Sequence, residues 1–218
     1  MKNLLCMLAF LLSLAASAQE NTYGLTGRFG VFETLVNSNK EVLQDIDYAP
    51  GLQLELGMWM HKPLTEKGFL QLTYLISLER QSGGTMQTWD VNENPWADVR
   101  TRYGNFTVGL AAQYLHQVSE RFAIGAGAGA KYKLAAIMAT QFPGTHGGST
   151  TELDEFYENH YHRKLRLYLP LGAQLTLGPQ VHLLGQLQLS VMSRLAAKES
   201  AFRERDFGLV LGVNYHIW

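Results

Sequence analysis

From Lys164 onward, apolar residues take every odd position: Leu165, Leu167, Leu169, Leu171, Ala173, Leu175 and Leu177. The even positions hold Lys164, Arg166, Tyr168, Pro170, Gly172, Gln174 and Thr176. After Gly178-Pro179-Gln180 the alternation resumes with Val181, Leu183, Leu187, Leu189, Val191 and Leu195, set against His182, Gln186, Gln188, Ser190 and Arg194. A period of two marks a strand with two unlike faces, and a tight turn between two such runs marks a hairpin. One face is nearly solid leucine and valine, whereas the other carries Lys, Arg, Gln and Gly. Strands of about ten residues with one lipid-like and one polar face are what a transmembrane barrel requires.

The same alternation predicts six further strands. The first spans Tyr23 to Leu35, with Leu25, Phe29, Val31 and Leu35 opposite Thr26, Arg28, Gly30, Phe32 and Thr34; Glu33 interrupts its apolar face. The second sets Leu52, Leu54, Leu56, Met58 and Met60 against Gln53, Glu55, Gly57 and Trp59. In the third, Leu70, Leu72, Tyr74, Ile76 and Leu78 alternate with Gln71, Thr73, Ser77 and Glu79, before a polar loop from about Gln81 to Val99. The fourth shows Phe106, Val108, Leu110, Ala112 and Tyr114 against Asn105, Thr107, Gly109, Ala111 and Gln113. The fifth places Phe122, Ile124, Ala126, Ala128, Ala130, Tyr132 and Leu134 opposite Gly125, Gly127, Gly129, Lys131 and Lys133. The last has Phe207, Leu209, Leu211, Val213, Tyr215 and Ile217 on one face, with Asp206, Gly208, Val210, Gly212, Asn214 and His216 on the other. Pro170 removes a ladder donor inside its strand, so a local bulge is expected there.

Eight strands follow, making the chain all-β: an eight-stranded antiparallel up-and-down transmembrane β-barrel. Connections after the second, fourth and sixth strands are short. Those after the first, third, fifth and seventh are longer and polar, the asymmetry of short periplasmic turns and long extracellular loops. Both termini fall on the short-turn side. Closure removes sheet edges, which hydrocarbon demands because it cannot satisfy backbone groups. Tyr114, Phe122 and Tyr215 are expected near the periplasmic rim and Phe106 and Phe207 nearer the other end, as interfacial girdles.

A hydrophobic fraction of 46% and mean hydropathy of -0.09 exclude a helical membrane bundle but not a barrel, whose faces average out. Residues 1–18 read as a signal peptide, with Lys2, the apolar run Leu4 to Leu14, and Ala16-Ser17-Ala18 before a cleavage point between Ala18 and Gln19. Residues 19–218 then form one domain. Cys6, the only cysteine, lies in the leader, so the mature chain has no disulfide framework. A formal net charge of -1 removes any electrostatic case for nucleic acid.

The glycine-rich first strand (Gly24-Leu25-Thr26-Gly27-Arg28-Phe29-Gly30), the Phe69 to Gly84 segment and the closing Phe207-Gly208-Leu209-Val210-Leu211-Gly212-Val213-Asn214-Tyr215 resemble the PorT-type outer-membrane β-barrels of Bacteroidota, a porin-like fold. The resemblance covers the mature chain. It implies a location in the outer membrane of a Gram-negative bacterium, with outer-membrane lipid and the barrel-assembly machinery as partners. Such barrels end in an outward aromatic used in assembly; Trp218 is out of phase with Tyr215 and Ile217.

The polar face concentrates charge toward the extracellular half. Glu55, Glu79 and Asp206 are expected to meet Arg28, Lys131, Lys133, Lys164, Arg166 and Arg194. Eight strands leave a bore that side chains fill, so the expectation is an ion-pair plug rather than a gated path. The run Gly125-Ala126-Gly127-Ala128-Gly129 lacks the Gly-Lys-Ser/Thr ending of a phosphate loop. Its inward glycines are expected to make room for Trp59 and Phe69. His146, His160 and His162 lie with acidic residues in and beside the longest loop, about Ala139 to His160, without a metal-ligand spacing. Neither metal nor cofactor is implied. The function expected is non-catalytic, structural or partner-binding through extracellular loops bearing Trp89, Trp96 and the acidic run Glu152, Asp154, Glu155 and Glu158. The alternative is a lipid-modifying enzyme, an acylase or acyltransferase. Its nucleophile, base and acid would be Ser149, His146 and Asp154, since Ser190 and His182 lie far apart on one strand.

Overall fold

Nine strands form on these runs in the computed structural model, which describes residues 21–38, 48–89, 95–141, 149–152, 163–194 and 202–217. They are β1 (Thr22–Ser38), β2 (Gly51–Pro63), β3 (Gly68–Trp89), β4 (Pro95–Ser119), β5 (Phe122–Gln141), β6 (Ser149–Glu152), β7 (Leu165–Thr176), β8 (Val181–Ser190) and β9 (Phe202–His216). Every pairing is antiparallel, and β1 bonds to both β2 and β9 while β4 bonds to both β3 and β5. The order β1-β2-β3-β4-β5-β7-β8-β9 therefore returns to β1, a closed eight-stranded barrel. The short β6 is an addition. It pairs with Ile137 to Thr140 of β5, above the stretch Phe122 to Tyr132 that pairs with β7. The expected signal peptide and its Ala18/Gln19 junction lie outside the described residues.

The alternation sorts side chains between two environments. Leu25, Leu56, Leu78, Leu110, Ile124, Leu171, Leu187 and Leu211, at least one on each long strand, point outward and are exposed. Arg28, Glu55, Gln71, Gln113, Lys131, Gln186 and Asn214 point inward and are buried. This inverts a water-soluble protein, in which contiguous exposed apolar patches rarely exceed a few hundred Å². Along β9 and the residue that follows it, the outward apolar run covers Phe207 to Ile217, close to the nine to eleven tilted residues that span a bilayer.

Three departures from the sequence expectations have local causes. The segment expected as a loop from Gln81 to Val99 is strand over most of its length: β3 runs to Trp89 and β4 starts at Pro95, so this hairpin continues past Leu52↔Arg80, the last pair β3 makes with β2. Its residues have no apolar face, yet backbone pairing needs none. The one-residue offset at Gly83-Gly84, two residues set against Thr101 alone, is absorbed as a bulge. At the other side, β8 stops at Ser190 rather than continuing to Leu195, while β9 begins at Phe202 inside the expected charged loop.

Pro170 makes no bulge. Its ladder to β5 is interrupted opposite Gly127, but Ala126↔Leu171 and Gly129↔Tyr168 share one register, and Pro170↔Gln188 continues the ladder to β8. The missing N–H simply faces β5. The bulge lies instead in β5, where Phe106↔Ala135 is followed by Thr107↔Lys133 and Leu134 is the extra residue.

The inward glycines of β5 make room for a different ring from those expected. A Cβ on Gly129 would run into Tyr168, whereas Trp59 is accommodated by Gly24 on β1. Gly129→Val is therefore expected to cost about 1–3 kcal/mol by overpacking, read as a lowered urea midpoint in detergent micelles. Ala128→Val, one position along and facing outward, should leave the midpoint nearly unchanged.

Candidate functional site

Inside the barrel, polar side chains from all eight long strands converge on a bore that eight strands leave just wide enough for them. At the short-turn end the filling is aromatic. The Trp59 ring stacks beside His61 at 4.3 Å between centroids, with His182 and His216 at 6.2 and 6.1 Å, and His61 packs on Phe69 at 4.6 Å. Trp59 Nε1 donates to the Leu25 carbonyl at 3.0 Å, and His61 Nε2 is 2.8 Å from Gln71 Oε1. Below these rings a mouth of about 190 Å³ opens between His61, Phe69, Gln174 and His182.

Next along the axis comes a layer of amides and buried apolar side chains. Gln186 Nε2 donates to Gln113 Oε1 across the bore at 2.9 Å, and Gln188 Nε2 donates to Gln186 Oε1 at 3.1 Å. Leu75, Leu115 and Val210 fill the remaining width, each fully buried.

Toward the long-loop end the charged residues form one alternating chain. Arg28 lies 4.0 Å from Glu55, Glu55 2.9 Å from Lys131, and Lys131 3.1 Å from Glu79. Glu79 meets Arg166 at 2.5 Å, Arg166 lies 3.2 Å from Asp206, Asp206 3.5 Å from Arg194, and Arg194 3.6 Å from Glu204. Four cations thus alternate with four carboxylates, leaving no net charge in the chain. The contacts cross the bore: Lys131 on β5 reaches Glu55 on β2, and Arg166 on β7 reaches Glu79 on β3. Neutral groups bind the charges further. Arg28 Nε donates to Thr26 Oγ1 at 3.1 Å, Lys131 Nζ to Gln53 Oε1 at 3.2 Å, and Arg194 Nη1 to Gln81 Oε1 at 2.7 Å. The Lys131–Glu55 contact is an ion pair without hydrogen-bond alignment.

Arg194 caps the ladder. Its guanidinium lies 5.4 Å from the Tyr48 ring centroid and 5.8 Å from that of Tyr103, within cation–π range. Tyr48 OH donates to Glu204 Oε1 at 2.8 Å. Burial, with the neighbouring carboxylate, pushes the Tyr48 phenol up, so it stays protonated and remains a donor. A void of about 40 Å³ remains beside Phe32, Gln53, Glu79, Lys131 and Tyr168, room for on the order of a few waters.

Of the residues expected in the interior network, Arg28, Glu55, Glu79, Lys131, Arg166, Arg194 and Asp206 are joined in this ladder. Lys133 is buried on the same inward face. Lys164 is half-buried and has no ion-pair partner among the described residues; its carbonyl accepts from the Lys133 N–H at 2.8 Å. Sequence reading missed Glu204, which it left in a loop, and Tyr48 and Tyr103, which no alternating run contained.

Of the set Ser149, His146 and Asp154, only the Ser149 backbone is described, at the start of β6. His146, Asp154, Glu155, Glu158, His160 and His162 lie outside the described residues. Trp89 and Trp96, expected in a loop, stand in β3 and β4 next to their connection. On β8, Ser190 donates to the Met192 carbonyl at 2.8 Å while the His182 ring sits 2.9 Å from Thr176 Oγ1, toward the opposite end of the strand.

No protein-family model and no curated protein matches the chain. Among solved structures it is similar to Neisserial surface protein A, at 13% identity over 88% of this chain and 96% of that one, with a TM-score of 0.46. It is similar to Ail, the attachment invasion locus protein of Yersinia pestis, at 12% identity over 91% and 100%, with a TM-score of 0.43. The outer membrane protein OprG from Pseudomonas aeruginosa is similar at 11% identity over 91% and 96%, with a TM-score of 0.44.

The outer wall has its own pattern. Outward apolar runs end in arginine at the long-loop end: Leu78 is followed by Arg80 on β3, Phe106 by Gly104 and Arg102 on β4, and Phe207 by Arg205 on β9. Phe106 and Phe207 point outward near this end, while Tyr114, Phe122 and Tyr215 point outward near the short turns.

Proposed function

We propose that this chain is a small, non-catalytic outer-membrane barrel of the PorT-type kind, closed to solutes by its interior and presenting its long-loop end to a partner. The observation that carries this reading is the neutral ladder from Arg28 to Glu204 lying across the bore, beneath a predominantly apolar outer face. Side chains that would line a path are engaged with one another. Removing any one member of the ladder would leave a surplus charge buried in it. The β3–β4 hairpin, which runs past the β2 ladder, supports a contact surface for a protein partner at that end. Residues 1–18 would be the export signal, hydrocarbon of the outer membrane the solvent for the outward face, and the barrel-assembly machinery the route of insertion.

The reading is tested by membrane fractionation with heat-modifiable gel migration, followed by planar-bilayer recording. The wild-type chain should partition with the outer membrane, shift its migration on boiling and show no steady conductance. A soluble periplasmic chain, or discrete current steps from the wild type, would overturn it.

A further inference from the structure

We propose that the outer wall across β2, β3 and β4 holds a binding site for a phosphorylated membrane lipid, with Arg80 and Arg102 gripping the phosphate and an acyl chain lying in the hollow beneath them. The inference rests on the membrane reading above. Arg80 is paired across the ladder with Gly104, two residues from Arg102 on the same outward face. The two arginines are therefore diagonal neighbours, with Cβ atoms roughly 7 Å apart, a separation two long side chains close around one anion. Both are exposed, and neither side chain makes a hydrogen bond or ion pair with a described residue. Guanidinium matches phosphate geometry through paired N–H donors.

The space below selects a lipid rather than a free anion. Gly104 puts no side chain outward between Arg102 and Phe106. A hollow of about 550 Å³ lies at that place, walled by Phe29, Leu52, Leu54, Leu78 and Phe106. That volume is within the roughly 300–1,000 Å³ of small-molecule sites. Its lining is mostly apolar, bordered also by Gln53, Glu79 and Asn105, with the two cations at one end, so the site matches a molecule with an anionic head and a hydrocarbon tail. The arginines stand where the apolar run stops, the level at which lipid phosphates meet long basic side chains.

The test uses the full-length protein in detergent micelles and native mass spectrometry, with monophosphorylated lipid A, its dephosphorylated form and inorganic phosphate as probes. The wild type should retain one monophosphorylated lipid A. Arg80→Gln with Arg102→Gln should weaken retention about tenfold or more, each single variant by less. Gly104→Leu, which fills the hollow but keeps both cations, should weaken it as well. Arg203→Gln with Arg205→Gln, on β9, should not. Equal retention by the double arginine variant, equal binding of the dephosphorylated lipid, phosphate binding as tightly as the lipid, or an equal loss from the β9 pair would each overturn the site. Heat-modifiable migration is read on every variant. A wild type lacking it fails the membrane reading, whereas an intact barrel with unselective lipid binding fails only this one.

Discussion

Glu79→Ala is expected to destabilise the barrel by about 3–5 kcal/mol, the cost of breaking a buried ion pair from one side. Glu79 is the central carboxylate of the ladder, in contact with both Lys131 and Arg166, and its side chain is almost wholly buried. Its loss leaves each cation with one carboxylate where it had two, inside a bore whose void beside them has room for only a few waters. Urea unfolding followed by tryptophan fluorescence in lipid vesicles reads the change. Combining Glu79→Ala with Lys131→Met should recover part of the loss, because the double variant removes a surplus charge and supplies apolar volume. An effect below about 1 kcal/mol, typical of solvent-exposed pairs, would mean that water reaches the ladder freely and that the bore is open.

The second large effect concerns the outer face. Leu56→Arg should destabilise by about 2–4 kcal/mol, the cost of a cation on the lipid-facing wall near the bilayer midplane. Leu56 is 59% exposed, and its outward neighbours along the strand are Leu54 and Met58. Leu64, 53% exposed but in the turn between β2 and β3, provides the comparison. Leu64→Arg should change stability little. Two leucines of nearly equal exposure, one in a strand and one in a turn, then report the medium around them. In water both changes would be close to neutral.

The faces of the barrel were legible because lipid and a polar bore impose opposite demands on neighbouring residues. Leu165 through Leu177 and Phe207 through Ile217 read outward at each odd position, and the structure places them there. What the alternation could not supply was anything beyond the membrane belt. Residues Gln81 to Trp89 pair as strand through the backbone, without an alternating apolar run in their sequence to announce it. Glu204 was hidden for the same reason: it sits just past the last outward apolar residue of β9, inward and buried, in a stretch whose composition reads as loop.

Partner choice inside the bore was the other gap. The period of two puts Glu79 and Arg166 on inward faces, but their meeting depends on the stagger between strands around a closed ring, a property of the whole sheet. The same holds for Gly129, whose neighbour is Tyr168 rather than Trp59. Pro170 was misjudged for a more local reason. A proline costs one donor, and the β5 side of its strand absorbs that loss as an interrupted rung without moving the register.

The most direct test of the account is a spin-label accessibility scan in lipid vesicles. In a Cys6→Ser background the chain has no other cysteine, so single labels report without interference. Labels at Leu209, Leu211 and Val213 should be relaxed strongly by oxygen and weakly by a water-soluble nickel chelate, and a label at Leu64 should show the reverse. Strong relaxation by the nickel chelate at all three β9 positions would place that face in water and contradict the account.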